Sequence, residues 1–192
     1  MIKDNLFIHI PKTGGTTVHA CRLGEYATAK PDHILARDAK KQWPECFFYT
    51  FMRNPYTRMV SLYECQFPRI QGHYHLPQEP IDLSFERYVQ IIVEGHHNDE
   101  RHFQHWRPQT DWILDSDDNL MVDYIGHMET LKNDAEEIIR LIGVEERVTL
   151  NPSYSNKSHW RHDHYRDYFN EDTRKKVEKY YEKDIDFLKV KF

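Results

Sequence analysis

A short apolar run that leads into a glycine turn is the feature of this sequence that most constrains its fold. Leu6 to Ile10 is a mostly apolar run ended by Pro11, a pattern typical of a buried strand. Gly14-Gly15 follow, and residues 16–22 then predict a helix. A strand that enters a glycine turn and continues as a helix is typical of an α/β protein.

The rest of the chain repeats this alternation of strand and helix patterns. Further strands are predicted at 46–52 and 120–125, and further helices at about 31–41, 56–66, 84–94, 128–142 and 171–184. Gly143 ends the clearest of these helices. The segments 67–80, 95–110 and 150–165 predict loops or irregular structure. We therefore expect a single α/β domain over residues 1–192, with a central, mostly parallel sheet flanked by helices.

Charge and cysteine content exclude several classes of protein. The 192 residues carry a net charge of −5, which argues against general binding to nucleic acid because that function needs a basic face. Cys21, Cys46 and Cys65 are widely spaced and odd in number, which favours free thiols in a reducing compartment. No apolar stretch approaches the roughly 18 residues of a membrane span. We expect a soluble, cytoplasmic protein with no membrane partner, unless a targeting segment has been removed.

The glycine turn has the residue types of an anion site. Backbone amides of Gly14 and Gly15 can surround an anion at the start of a helix, and Lys12 adds a full positive charge. The hydroxyl groups of Thr13, Thr16 and Thr17 are further possible donors. A plain connecting glycine turn is the alternative, and the lysine and threonines favour the anion site over it.

The turn is not a Walker A motif, because its order is Lys-Thr-Gly-Gly-Thr. A kinase that uses magnesium also needs an acidic metal ligand after a strand. The second predicted strand ends instead in Arg53, whose guanidinium fork suits a phosphate.

PKTGGTT after a strand, followed by FMRNPYTRMVSLYEC, resembles the carbohydrate sulfotransferase superfamily. HWRPQ (105–109) and VDYIGHMETLKNDAEEI (122–138) are similar to segments of the chondroitin and dermatan 4-O-sulfotransferases. Lys157-Ser158-His159 with Arg161 is similar to a segment that covers the cofactor in heparan 2-O-sulfotransferases. The resemblance therefore follows most of the chain in order.

The resemblance implies a P-loop-like sulfotransferase domain that uses 3′-phosphoadenosine 5′-phosphosulfate (PAPS) as donor. The turn from Lys12 to Thr17 would hold the 5′-phosphosulfate, and Lys12 would stabilise charge on the leaving phosphate. Arg53 and Ser61 would bind the 3′-phosphate, and Lys157, Ser158 and Arg161 would close over the cofactor. The implied acceptor is a hydroxyl group, most simply of a saccharide.

The reaction also needs a base for the acceptor hydroxyl, and histidine suits that role near neutral pH. His33 is the first candidate, because a catalytic histidine occupies a similar place upstream of the arginine motif in heparan 2-O-type enzymes. His105 is the second candidate, and together with Trp106 it is a candidate contact for the acceptor. Thirteen histidines raise the alternative of a metal site, but no HExxH spacing occurs, and we expect no required metal.

These residues are also compatible with two other functions. One is a P-loop-like small-molecule kinase, and the other is a non-catalytic module that only binds a nucleotide. Trp43, Trp106 and Trp160 are candidates for stacking on the adenine ring, although packing in the core is the commoner use of tryptophan. The sequence defines neither the acceptor nor the oligomeric state.

Overall fold

The computed structural model describes residues 2–15, 18, 23–29, 33–66, 83–95, 104–148 and 162–192. These residues group into two compact units. The first comprises Met1–Arg53 with Gln109–Asn156, and the second comprises Asn54–Pro108 with Lys157–Phe192. The organisation of residues 1–192 as a single domain stays a prediction.

A parallel sheet of three strands lies at the centre of the first unit. The strands are β1 (Asn5–Ile8), β2 (Phe47–Met52) and β3 (Tyr124–His127), in the spatial order β1-β2-β3. Ile8 pairs with Thr50, which pairs with Ile125 on the other side. Nearly every residue of β1 and β2 is buried, as expected for parallel strands covered on both faces. The predicted parallel α/β arrangement is thus confirmed.

Except for a short helix at Thr110–Ile113, which was not predicted, the helices of the described residues lie close to the positions predicted from caps and apolar periodicity. They are α1 (Ala36–Gln42), α2 (Pro55–Gln66), α3 (Phe85–Val93), α4 (Thr110–Ile113), α5 (Leu131–Ile142), α6 (Glu171–Tyr180) and α7 (Glu182–Leu188). Gly143 ends α5 with a φ of 79°, in the left-handed region that glycine adopts most easily. None of the helices in this part of the chain is long and apolar enough to cross a membrane.

Each unit has its own apolar core. In the first unit, α5 packs against the sheet, with Ile138 and Ile142 fully buried together with Phe51 of β2. The core of the second unit is rich in aromatic residues, among them Tyr56 of α2, Tyr88 of α3 and Tyr181 after α6. Large rings therefore supply much of this core.

The third strand was predicted too early in the chain. Leu120 is 50% exposed and forms only an isolated antiparallel bridge with Leu114. The Asp115 carboxylate accepts hydrogen bonds from the N–H groups of Asp117 and Asn119, at 2.9 and 2.8 Å, and so closes a tight turn. The chain folds back on itself there, and the strand of the sheet begins at Tyr124.

Two helix boundaries also differ from the predictions. The helix expected over 171–184 breaks at Tyr181, whose buried hydroxyl donates to the carbonyl of Trp106 at 2.8 Å. The helix expected from residue 31 is described only from Ala36 onward. The predictions for the rest of 16–22, for 30–32 and 67–80, and for parts of 95–110 and 150–165 lie outside the described residues.

Candidate anion-binding site

The predicted turn follows β1 and has an unusual backbone. Lys12 has a φ of 68° and Gly14 a φ of 93°. Positive φ is uncommon for a residue other than glycine, and such positions concentrate at functional sites. The Val18 N–H donates to the Gly14 carbonyl at 3.1 Å, which is a helical bond directly after the turn. The predicted order of strand, glycine turn and helical start is therefore present.

The hydroxyl group of Thr13 is used inside the turn. It donates to the Ile10 carbonyl at 2.9 Å, and Thr13 is fully buried. This corrects the expectation that the Thr13 hydroxyl is a donor to a bound anion, because its single proton is already used. Thr13 instead fixes the shape of the turn.

Both glycines of the turn are required by their neighbours. A Cβ atom on Gly14 would lie 2.6 Å from the Sδ atom of Met128, and one on Gly15 would overlap the imidazole of His9. The turn therefore packs against His9, which directly follows β1, and against Met128, which directly follows β3.

Hydrogen bonds to Asp134 hold the segment that carries Met128. The Asp134 carboxylate accepts from the Tyr124 hydroxyl at 2.9 Å, the His127 N–H at 3.0 Å and the Thr130 hydroxyl at 2.5 Å. Burial acts to raise the pKa of Asp134, but the three hydrogen bonds outweigh it and hold that pKa below its ordinary value. In turn, burial and the contact with Asp134 raise the pKa of Tyr124 to about 12.

Arg53, from the segment FMRNPYTRMVSLYEC, contacts the turn. Its Nη1 donates to the Lys12 carbonyl at 3.3 Å, across 41 residues of sequence. The side-chain amide of Gln109 holds the Arg53 backbone: Oε1 accepts from the Arg53 N–H at 2.9 Å, and Nε2 donates to the Arg53 carbonyl at 2.8 Å. Sequence reasoning singled out HWRPQ but gave Gln109 no site role, because only the histidine and tryptophan of that segment were candidate contacts for a ligand.

His33 lies beside His9, at the same end of β1. Its Nδ1 is 3.1 Å from the His9 carbonyl, and the two rings lie 4.8 Å apart. Because a carbonyl only accepts, this contact requires the proton on Nδ1, and the neutral ring then has its lone pair on Nε2. His33 has a φ of 48° and meets the Trp112 ring edge-on at 6.0 Å. His9 was not predicted, although its place directly before the turn was a usable signal.

Three of the remaining described candidates belong to the second unit, whereas Trp43 follows α1 in the first unit. Ser61 lies on α2 and is only 2% exposed. Trp106 is also 2% exposed, and its Nε1 donates to the Tyr88 hydroxyl at 2.8 Å. Trp106 is therefore a core residue, which corrects its assignment as a contact for an acceptor or an adenine ring. The carbonyl of His105 accepts from Arg58 at 2.9 Å.

Several predicted site residues lie outside the described part of the chain. They are Thr16, Thr17, Lys157, Ser158, Trp160 and Arg161. Among the residues that the structure does describe, no three of the types His, Cys, Asp and Glu form a group that could hold a metal ion.

The fold and the site together define an α/β protein that has two cations beside a glycine turn. The two cations, Lys12 and Arg53, follow neighbouring parallel strands. The chain belongs to the Sulfotransferase family, whose sequence profile matches residues 4–190. The predicted membership in the carbohydrate sulfotransferase superfamily is confirmed.

Two relatives agree with that membership. Carbohydrate sulfotransferase 12 of Mus musculus is 25% identical over 141 residues, which cover 60% of this chain and 33% of that protein. Carbohydrate sulfotransferase 11 of Rattus norvegicus is 26% identical over 153 residues, which cover 69% of this chain and 40% of that protein. The matched part of the chain thus spans less than half the length of these relatives. No solved structure matches.

Proposed function

We propose that the protein transfers a sulfuryl group from PAPS to a saccharide hydroxyl, in a P-loop-like site at the turn between Lys12 and Thr17. The observation that carries this proposal is the hydrogen bond from Arg53 to the Lys12 carbonyl. It joins the two motifs at the carboxyl ends of β1 and β2, where open parallel sheets bind their ligands.

The described residues fit the chemistry of such a donor. PAPS is strongly anionic, and the chain as a whole has a net charge of −5. The cations Lys12 and Arg53 and the backbone amides at Gly14 and Gly15 would supply the local compensation. In this proposal, Arg53 contacts the 3′-phosphate. On the basis of the family resemblance, Ser61 also contacts the 3′-phosphate. The same resemblance assigns Thr16 and Thr17 to the 5′-phosphosulfate, and Lys157, Ser158 and Arg161 to a segment that closes over the donor.

Each residue near the turn then has a separate task. When bound, the donor supplies a sulfuryl group joined to a phosphate through a bridging oxygen. His33 Nε2 takes the proton of the acceptor hydroxyl as the acceptor oxygen bonds to sulfur. The bond between sulfur and the bridging oxygen breaks, and its electron pair stays with the phosphate. The Lys12 ammonium stabilises the negative charge that develops there.

The saccharide acceptor rests on the relatives, both of which are named as carbohydrate sulfotransferases. An acceptor screen tests it directly. Purified protein is incubated with PAPS and a panel of oligosaccharides, and mass spectrometry records the addition of a sulfate. We expect transfer to at least one saccharide and none with a Lys12→Ala variant. Binding of PAPS without transfer to any acceptor of the panel would favour the non-catalytic module.

A binding experiment separates the donor from that of a kinase. We expect adenosine 3′,5′-bisphosphate to raise the melting temperature more than ATP with magnesium does, because Arg53 would contact only the 3′-phosphorylated ligand. A larger shift with ATP and magnesium would support the small-molecule kinase instead.

A further inference from the structure

Gln109 has an unusual place beside the proposed donor site. It is fully buried, although glutamine is mostly an exposed residue. Its amide makes two hydrogen bonds, at 2.9 and 2.8 Å, and both go to the backbone of Arg53, which is 56 residues earlier in the chain.

These bonds take the place of the hydrogen bonds that a neighbouring strand would make, and they do so just beyond the last paired residue of β2. The pairing of β2 with β3 ends at Met52 and His127, so the register does not include Arg53. A side-chain amide has the same donor and acceptor as a peptide group, and Gln109 offers both to the N–H and C=O of a single residue. The Arg53 backbone is thus hydrogen-bonded as if the pairing with a neighbouring strand continued for one more residue.

Fixing the Arg53 backbone also limits where its guanidinium can lie. From this anchored position, Nη1 reaches the Lys12 carbonyl at 3.3 Å. An arginine whose Cα position is fixed loses less conformational entropy when it binds a phosphate, because only its side chain remains to be ordered. A shift of the backbone would move the guanidinium away from the turn.

The geometry points to Gln109 as a positioning residue that sets the preference for a 3′-phosphorylated nucleotide, acting through the backbone of Arg53. This inference rests on the proposed function, in which Arg53 contacts the 3′-phosphate. It adds a role for HWRPQ that neither the histidine nor the tryptophan of that segment supplies.

The test compares two nucleotides that differ only in the 3′-phosphate. Calorimetry measures the dissociation constants of adenosine 3′,5′-bisphosphate and adenosine 5′-monophosphate for the wild type and for Gln109→Met, which keeps the side-chain length without the amide. We expect the preference for the bisphosphate to fall about tenfold or more, because a misplaced guanidinium no longer makes its charge-assisted hydrogen bonds to the 3′-phosphate. The affinity for the monophosphate should change much less.

Two further variants make the result specific. Thr173→Val removes the hydrogen bonds of the Thr173 hydroxyl at the start of α6, in the second unit, and should lower stability without changing the preference. In an Arg53→Ala background, Gln109→Met should cause no further loss of preference, because the residue through which it acts is gone. If Gln109→Met does not fold, Gln109→Asn gives the same comparison, since the shorter amide cannot reach both backbone groups.

An unchanged preference in folded Gln109→Met or Gln109→Asn would overturn the positioning role while leaving the donor site intact. An equal loss of affinity for both nucleotides would overturn it as well, because that result indicates general damage to the turn. A wild-type protein with no preference for the bisphosphate would contradict the proposed function itself, and this inference with it.

Discussion

A backbone carbonyl orients the imidazole of His33. The contact of Nδ1 with the His9 carbonyl leaves the lone pair of the neutral ring on Nε2, as a general base requires. We expect His33→Asn to lower turnover by roughly 10²–10⁴-fold, the usual range for a positioned base. Asparagine is the better substitution because it tolerates the φ of 48°. Steady-state kinetics and donor affinity are the measurements, and donor affinity should change little.

His105→Asn is the matched control for the base. The His105 carbonyl accepts a hydrogen bond from Arg58, and the substitution leaves that carbonyl in place. Turnover should therefore stay close to that of the wild type. Abolished turnover in His105→Asn, with normal donor affinity and near-normal activity in His33→Asn, would move the base to the HWRPQ segment.

Residue types predicted the position of the turn and its cations better than they predicted the use of each side chain. That Lys12 and Arg53 lie together could be predicted, because each follows a predicted strand of a parallel sheet. The roles of Thr13 and Trp106 could not be predicted, because a hydroxyl or a ring serves packing and binding equally well, and burial decides between them. Gln109 was missed because hydrogen bonds across 56 residues leave no local spacing to detect.

At the scale of elements, a buried arginine joins α2 to the HWRPQ segment in the second unit. Arg58 is fully buried and donates to the carbonyls of Arg107 and His105 at 3.1 and 2.9 Å. Its guanidinium also lies over the Tyr181 ring at 5.7 Å. We expect Arg58→Met to lower the free energy of unfolding by about 2–4 kcal/mol, because two partly buried carbonyls lose this donor and the fully buried side chain loses its hydrogen bonds. Urea unfolding measures this loss.

Arg140→Met on α5 is the comparison for Arg58. The Arg140 side chain is 62% exposed and pairs only with Glu137 on its own helix, so the urea midpoint should hardly move. If Arg58→Met were as stable as Arg140→Met, the assignment of Arg58 as a structural link would be wrong.

The turn between β3 and α5 should make stability depend on pH. The pKa of folded Asp134 lies below its ordinary value, so its contribution is present above the unfolded pKa of about 3.9 and is lost as pH falls through the folded pKa. We expect Asp134→Asn to be less stable at pH 7 by about 1 kcal/mol, after allowing for partial exposure to solvent. Melting temperatures of both proteins, measured from pH 7 downward, should converge below about pH 4. A difference that stays constant with pH would contradict this account.

Apolar periodicity predicted α5 well, whereas the weaker pattern of β3 misplaced that strand. The face of Ile138, Ile139 and Ile142 predicted α5 and its end at Gly143, because burial of one helix face leaves a regular pattern. The strand β3 is short and only partly buried, so its pattern is weak, and the apolar Leu120 drew the prediction four residues too early. The break at Tyr181 depends on a hydrogen bond to Trp106, and no local pattern encodes that contact.

At the scale of the whole molecule, the proposed function requires an acidic chain to bind an acidic donor. The net charge of −5 repels PAPS at long range, so the local cations at Lys12 and Arg53 have to compensate its phosphates in the site. Because two side chains supply that charge, we expect turnover to be the same in excess EDTA and in added magnesium. Acceptor sulfation followed by mass spectrometry is the measurement, and Lys12→Ala, which removes one of the two charges, should lose turnover in both conditions. Complete loss of wild-type turnover in EDTA, with recovery on adding magnesium or zinc, would show that a metal ion supplies charge that this account gives to Lys12 and Arg53.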